Sequence, residues 1–149
     1  MLSTILVAFD GSAHSEKALR TVLEWGSARD AMVHVVFVAR PEELQGIPAE
    51  ADLFGGKDPS LRLLSRRIEE SGKEREERAS EIAREHSREI SVHRLIGDPG
   101  EQILKTAEAI GADLIVVGSR GRSGLERFFL GSISSYVVEH SPVSTLVVR

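Results

Sequence analysis

Short apolar runs alternate with amphipathic segments along this chain. Most runs are nearly free of polar side chains, which is typical of strands covered on both faces of a parallel sheet. They span residues 5–9, 33–38, 91–96, 114–117 and 145–148. The segments between them repeat apolar residues at helical spacing, as Leu19, Val22 and Leu23 do. This order predicts an α/β fold in which a five-stranded parallel sheet carries helices on both faces, a three-layer sandwich.

The segment 61–89 predicts one long helix with a thin apolar stripe and a densely charged face. Glu74 and Arg78 have the i,i+4 spacing of a helical ion pair. Gly72 stands in the middle of the segment and is expected to weaken the helix there. We interpret the charged residues as a solvated helix face and not as a binding surface.

Turn-forming residues mark the remaining boundaries. Residues 39–60 lose periodicity and contain several prolines and glycines, so they predict a long loop of a kind that is often functional. Asp98, Pro99 and Glu101 have the order of N-cap, first and third helical positions, and Gly111 suits the end of the same helix. With 149 residues, the chain is expected to form a single domain over residues 1–149.

The composition excludes several classes of function. The formal net charge of −4 argues against a nucleic-acid partner, which needs a concentrated basic surface. The chain has no cysteine, so disulfides, thiolate metal sites and thiol catalysis are excluded. No apolar stretch approaches the roughly 20 residues that span a bilayer, and the first residues do not have the pattern of a signal peptide. We therefore expect a cytoplasmic protein without membrane contact.

A glycine-rich segment follows the apolar run at residues 114–117. Gly118 and Gly121 are followed, after nine intervening residues, by Gly131 and Ser132. Glycines allow consecutive N–H groups to point into one concavity, and a helix start adds unpaired N–H donors and the positive end of a dipole. The segment predicts a nucleotide-phosphate site. It is neither a Walker A loop nor a dinucleotide fingerprint, so backbone N–H groups and the hydroxyls of Ser132 and Ser134 would hold the phosphates.

Three candidate residues fall where parallel strands end. Asp10 follows the first strand, Val38 ends the second, and Gly118 follows the fourth. Ligands of open α/β sheets bind at this edge, where the strand order reverses. Asp10 also has an alternative interpretation, because Asp10, Gly11 and Ser12 together have good turn chemistry.

Charged residues near the glycines suggest how a triphosphate would be neutralised. Arg120, Arg122 and Arg127 can form charge-assisted hydrogen bonds with phosphate, although arginines are also common in exposed loops. The histidines show no metal-ligand spacing and are assigned to unrelated elements. A Mg²⁺ or Mn²⁺ ion carried by the nucleotide is favoured, with Asp10 as its protein ligand, because hard divalent ions bind phosphate plus one or two carboxylates.

Four segments together resemble the universal stress protein family. They are ILVAFDGS at residues 5–12 with Ser15 close behind, GDPGEQIL at 97–104, ADLIVVGSRGRSGLERFFLGSIS at 112–134 and VVEHSPVSTLVV at 137–148. The third segment contains the pattern G-x2-G-x9-G-[S/T] of the family's ATP-binding subgroup. The resemblance covers essentially the whole chain.

The resemblance implies a Rossmann-like fold of the adenine nucleotide alpha hydrolase type, with strand order 3-2-1-4-5 and ATP lying across the strand ends. It assigns Asp10 to the ribose or metal region and the backbone of Val38 to adenine. The nucleotide-binding residues expected from the family pattern and the loop are Ala8, Asp10, Val38, Val117, Gly118, Gly121, Arg122, Gly131, Ser132, Ile133 and Ser134. A side chain on any of these glycines is expected to occupy the space of a phosphate oxygen, so Gly121→Val should abolish ATP binding in a folded protein.

The last strand suggests a partner. Residues 145–148 (Thr145, Leu146, Val147 and Val148) are expected at a sheet edge, and an exposed apolar edge invites pairing. The resemblance implies a homodimer through this strand. The family often has proline and valine where Ser144 and Thr145 stand here, so the pairing register stays open.

Three functions are compatible with these features. The leading hypothesis is an ATP-binding regulatory or stress-response module in which ATP orders the loop at residues 119–130. The second is an enzyme that hydrolyses ATP slowly or transfers a nucleotidyl or phosphoryl group, for which Asp10 and the loop arginines are the only candidates. The third is an interaction protein that binds no nucleotide. ADP, AMP and cyclic nucleotides remain alternatives to ATP.

Overall fold

The computed structural model describes residues 1–40, 59–120 and 130–149, without the side chains of residues 59–65, 67, 68 and 71. The strands and helices follow one another in alternation. They are β1 (Thr4–Ala8), α1 (Ala13–Glu24), β2 (Met32–Ala39), α2 (Pro59–Glu85), β3 (Ser91–Ile96), α3 (Pro99–Ile110), β4 (Leu114–Gly118), α4 (Ser132–His140) and β5 (Ser144–Val148), with a short 3₁₀ turn at Gly26–Ala28.

All five strands form one parallel sheet with the order β3-β2-β1-β4-β5. Ile5 of the central strand β1 pairs with Val33 of β2 on one side and with Leu114 of β4 on the other. The predicted α/β class and the strand order 3-2-1-4-5 are therefore confirmed. Since the chain leaves β1 in one direction and later returns to its other side at β4, the strand order reverses between these two strands.

Successive side chains of the buried strands pack into two separate cores, one on each face of the sheet. Val7 of β1 packs with Leu19 of α1 and Ile82 of α2 on one face of the sheet. Leu6, its neighbour in sequence, packs with Ile103 of α3 and Val137 of α4 on the other face. This alternation follows from the pleat of a strand, which points consecutive side chains to opposite faces. The predicted three-layer arrangement is confirmed.

Local signals set the limits of the shorter helices. Asp98 accepts a hydrogen bond from the backbone N–H of Glu101 (3.0 Å) and caps α3, and Gly111 ends that helix in the left-handed conformation at φ 65°. Both expectations for α3 are confirmed. Helix α2 continues through Gly72 and ends at Glu85, earlier than predicted. The chain turns there because Ser87 adopts φ 53°, a conformation that a helix cannot contain.

The charged face of α2 differs from the prediction. Arg78 bonds to Glu16 of α1 and to Glu81, in place of its expected partner Glu74. A second ion pair joins Arg20 of α1 to Glu85 (2.6 Å). The interpretation of this face as solvated is confirmed for residues such as Glu70, Lys73 and Glu77, which are exposed, but part of the face also fastens α2 to α1. Of the predicted loop at 39–60, residues 41–58 lie outside the described residues.

Candidate functional site

A cleft of about 470 Å³ opens at the carboxyl ends of β1, β2 and β4, where the strand order reverses. The structure brings most of the predicted site residues together along its walls. Those that line it are Ala8, Asp10, Val38, Val117, Gly118, Gly131, Ser132, Ile133 and Ser134. Gly121, Arg122 and Arg127 lie outside the described residues.

One wall of the cleft is apolar. This wall is lined by apolar residues of three elements, namely Val36 and Val38 of β2, Pro99 and Ile103 of α3, and Ile133 of α4. Val36 and Ile103 belong to the core between the sheet and α3–α4, and Val38 and Ile133 pack against that core. The packed core therefore holds this wall rigidly, and it offers a flat planar ligand a surface without polar groups.

The turn after β1 supplies the cleft with a carboxylate. The backbone N–H of Ser12 donates to Oδ1 of Asp10 (2.9 Å), which forms an Asx turn, and Gly11 adopts φ 82° between them. The hydroxyl of Ser15 donates to the carbonyl of Ser12 (2.9 Å) and accepts from the N–H of Asp10 (3.4 Å). The turn chemistry noted as an alternative for Asp10 is thus present, and the same turn directs Asp10 to the cleft.

Gly118 lies at the closest approach of β4 to α1. A Cβ atom on Gly118 would stand 2.8 Å from both the carbonyl carbon and the Cβ of His14. Next to it, Nδ1 of His14 and the hydroxyl of Ser119 are 3.2 Å apart. Helix packing alone therefore requires glycine at this position, a reason that differs from the expected conflict with a phosphate oxygen.

Helix α4 begins in the cleft at Ser132, which is exposed. The N-cap Gly131 is extended (φ −62°, ψ 160°), and its N–H donates to the carbonyl of Ser119 (2.7 Å). The hydroxyl of Ser134 is buried and donates to the carbonyls of Ser119 (3.2 Å) and Gly131 (3.0 Å). Of the two serines, Ser132 is thus the one whose side chain faces solvent, beside the first N–H groups of the helix.

Two cationic residues of the cleft were missed by sequence reasoning. Arg40 directly follows β2, and Arg75 comes from the charged face of α2. Both line the cleft together with the predicted Arg120. Only Arg40 carries a local signal, its place just after a strand end. Arg75 reaches the site through the docking of α2, which no pattern in the sequence indicates.

The expectation that the histidines lie on unrelated elements is wrong for one pair. His34 of β2 and His93 of β3 are in contact, although neither lines the cleft. Within the described part of the chain, no group of three histidine, aspartate or glutamate residues could hold a metal ion. The same residues contain no helix long and apolar enough to cross a membrane.

Comparison with known proteins gives consistent matches over the whole chain. A family model described as the universal stress protein family matches residues 1–149. A universal stress protein of Thermus aquaticus is 36% identical over 154 residues, covering 100% of both chains. Universal stress protein MJ0531 of Methanocaldococcus jannaschii is 32% identical over 145 residues, covering 97% of this chain and 81% of that relative.

Solved structures agree with these matches. The structure of MJ0577, from the same archaeon, superposes with a TM-score of 0.81 at 26% identity, covering 99% of this chain and 96% of the other. Two more distant structures share the fold. One is a universal stress protein in complex with cAMP (TM-score 0.61, 21% identity, 99% and 97% covered). The other is that of Archaeoglobus fulgidus in complex with dAMP (TM-score 0.66, 20% identity, 100% and 98% covered).

Proposed function

Because this chain belongs to the universal stress protein family, we propose that it is a stress-response module regulated by ATP, which it binds in the cleft at the strand ends. The observation that carries the proposal is the division of the cleft lining between the apolar wall and a cationic part. The cationic part consists of Arg40, Arg75 and Arg120 and lies in the same cleft as the N-terminus of α4. An adenine nucleotide has the same division, since its base is planar and weakly polar and its phosphates are anionic.

The apolar wall is assigned to the adenine. Val36, Val38 and Ile103 provide an apolar surface that is held by the core behind it. We assign recognition of the base edge to the backbone of Val38, at the end of β2. Backbone recognition of this kind reads the base and is insensitive to the number of phosphates, so the discrimination between adenine nucleotides must come from elsewhere in the cleft.

The cationic part is assigned to the ribose and phosphates. Arg40, Arg75 and Arg120 line the cleft, and Asp10 is the carboxylate among its described lining residues. This local excess of positive charge contrasts with the net charge of −4 of the whole chain. The first N–H groups of α4, next to Ser132, add donors and the positive end of the helix dipole. Together they favour an anionic group at this place.

A divalent ion fits this cleft as a companion of the nucleotide. Mg²⁺ is commonly held by one or two carboxylates together with phosphate oxygens, and the Asp10 carboxylate lines the part of the cleft that we assign to phosphates. Asp10 would hold the ion, and the ion would neutralise phosphate charge. Since no cluster of ligands exists in the described residues that would hold the metal alone, we expect metal binding to depend on ATP.

The same residues favour binding over turnover. Efficient phosphoryl transfer needs a base that positions the nucleophile in addition to cationic groups around the phosphate. Asp10 is the one carboxylate among the described lining residues, and we assign it to the ribose or the metal. A regulator that retains ATP is therefore the better fit than an ATPase or a transferase.

We further propose that the protein is a homodimer paired through β5. This strand forms one edge of the sheet, and Leu146 and Val147 on it are only partly buried. An edge of this kind offers unpaired backbone groups to a second copy. Sedimentation at micromolar concentration should give twice the 16.3 kDa mass of the chain, and a monomer that persists as concentration rises would contradict the pairing.

Calorimetric titration with ATP and Mg²⁺ tests the nucleotide proposal. We expect a dissociation constant on the order of micromolar. Ser132→Asp places a negative charge at the start of α4, where it favours the helix but repels phosphate, and should weaken ATP binding by about tenfold or more. Ser135→Asp adds the same charge one position beyond the described lining residues and should change the affinity much less. A folded wild-type protein that gives no saturable binding would refute the proposal.

A further inference from the structure

The charged face of α2 reaches the cleft at one residue. Arg75 is half-buried and lines the cleft, and its Cγ lies 3.6 Å from the position that a Cβ atom on Gly11 would take. Its aliphatic stem therefore crosses the turn that directly follows Asp10. Arg75 therefore reaches the cleft beside the turn at Asp10, from the layer of α1 and α2 on the face of the sheet opposite to α3.

Contacts between α1 and α2 determine where Arg75 stands. Arg78, one turn further along α2, holds the carboxylate of Glu16 by two hydrogen bonds, from Nε (2.8 Å) and from Nη2 (2.9 Å). Ala79 and Ile82, which follow on the same face of the helix, are buried in the core. Residues three apart on a helix are neighbours on its surface, so the fixed position of Arg78 also limits the position of Arg75.

We propose that Arg75 is the residue by which the cleft distinguishes nucleotides by their phosphate charge, favouring nucleoside di- and triphosphates over nucleosides. This inference rests on the proposed binding of an adenine nucleotide. A guanidinium presents several N–H donors in a planar fork that matches phosphate oxygens, and such charge-assisted bonds are the stronger ones in proteins. The stem of Arg75 lies beside the turn at Asp10, which we assign to the ribose and phosphates, so we assign its contribution to the phosphates.

Calorimetry with ATP, AMP and adenosine on Arg75→Ala tests this inference. We expect the dissociation constant for ATP to rise by about tenfold or more and that for adenosine to change by less than about twofold, with AMP between them. Arg84→Ala is the matched control, because Arg84 is an exposed arginine of the same helix outside the cleft lining. It removes an equal charge and should leave all three constants unchanged. Arg75→Gln keeps most of the stem and serves if the alanine variant unfolds.

The outcomes separate this inference from the proposal beneath it. If the wild-type protein binds neither ATP nor adenosine, the nucleotide proposal fails and the role of Arg75 fails with it. If the wild type binds ATP and Arg75→Ala binds it equally well, the role of Arg75 alone is refuted. Equal weakening of ATP and adenosine would also refute it, since that result indicates a distorted cleft and not a lost phosphate contact.

Discussion

The imidazole rings of His34 and His93 lie nearly parallel on neighbouring strands, with 2.8 Å between Nδ1 of His34 and Nε2 of His93. Among the residues that the structure describes, Nε2 of His34 is buried without a hydrogen-bond partner. A buried N–H without an acceptor costs more than an unused lone pair on a ring nitrogen. We therefore assign the proton of neutral His34 to Nδ1, from which it is donated to Nε2 of His93.

This pair makes stability depend on pH. Burial, followed by the nearby His93, lowers the pKa of His34 below its ordinary value of 6.5. His34 therefore binds a proton more readily in the unfolded chain than in the folded protein. Its contribution to the free energy of unfolding is complete above pH 6.5 and is lost as the pH falls through the lowered pKa. Between about pH 8 and pH 5, the free energy of unfolding measured with urea should fall less for His34→Gln than for the wild type. Parallel pH profiles would contradict the assignment.

Gly118→Ala should destabilise the fold at the strand end. The new Cβ atom would meet the backbone of His14, so α1 or β4 must shift to accommodate it. We expect a loss of about 1–3 kcal/mol in the free energy of unfolding, the usual cost of overpacking. Urea denaturation measures it, and a stability equal to wild type would show that α1 yields without cost.

Gly72→Ala is expected to do the opposite. Gly72 lies inside α2, its conformation is compatible with alanine, and a Cβ atom there would meet no described atom of the chain within 4 Å. Alanine should therefore raise the free energy of unfolding by about 0.5–1 kcal/mol through its higher helix propensity. The two alanine variants, compared under one set of conditions, separate a glycine required by packing from one that the helix merely tolerates.

Gly100→Ala probes the contact between α3 and α4. A Cβ atom on Gly100 would overlap the ring of Tyr136, which is itself stacked on His140 with 4.2 Å between the ring centroids. We expect Gly100→Ala to lower the free energy of unfolding by about 1–3 kcal/mol, because the overpacked ring must shift. In a double-mutant cycle, Tyr136→Ala should remove most of this penalty, because the overlapping ring is gone. Additive effects of the two changes would place the strain elsewhere.

Local chemistry explains which features were predictable. The apolar runs gave strands and helices in the right order, and Asp98 and Gly111 marked the ends of α3, because each of these signals acts over a few neighbouring residues. The strand order came only from the family resemblance. A pattern of apolar residues says that a strand is buried, but not which strands are its neighbours.

Several of the features that escaped prediction depend on pairing between residues that are far apart in sequence. His93 contacts His34 because the parallel register pairs Val36 with His93 and His34 with Ser91. The sequence of either strand alone does not predict this register. Arg75 enters the cleft only after α2 has docked on α1. The need for glycine at position 118 arises from His14, more than a hundred residues away in sequence.

The hydrogen bond from the N–H of Gly131 to the carbonyl of Ser119 has an evolutionary consequence. This bond holds the two ends of the intervening segment together where the segment leaves and rejoins the rest of the fold. The entropic cost of closing a loop rises slowly with length, by about 0.6 kcal/mol per doubling. Changes of length between these two residues should therefore cost the fold little, so selection on the spacing of this segment would reflect what the segment binds and not what folding requires.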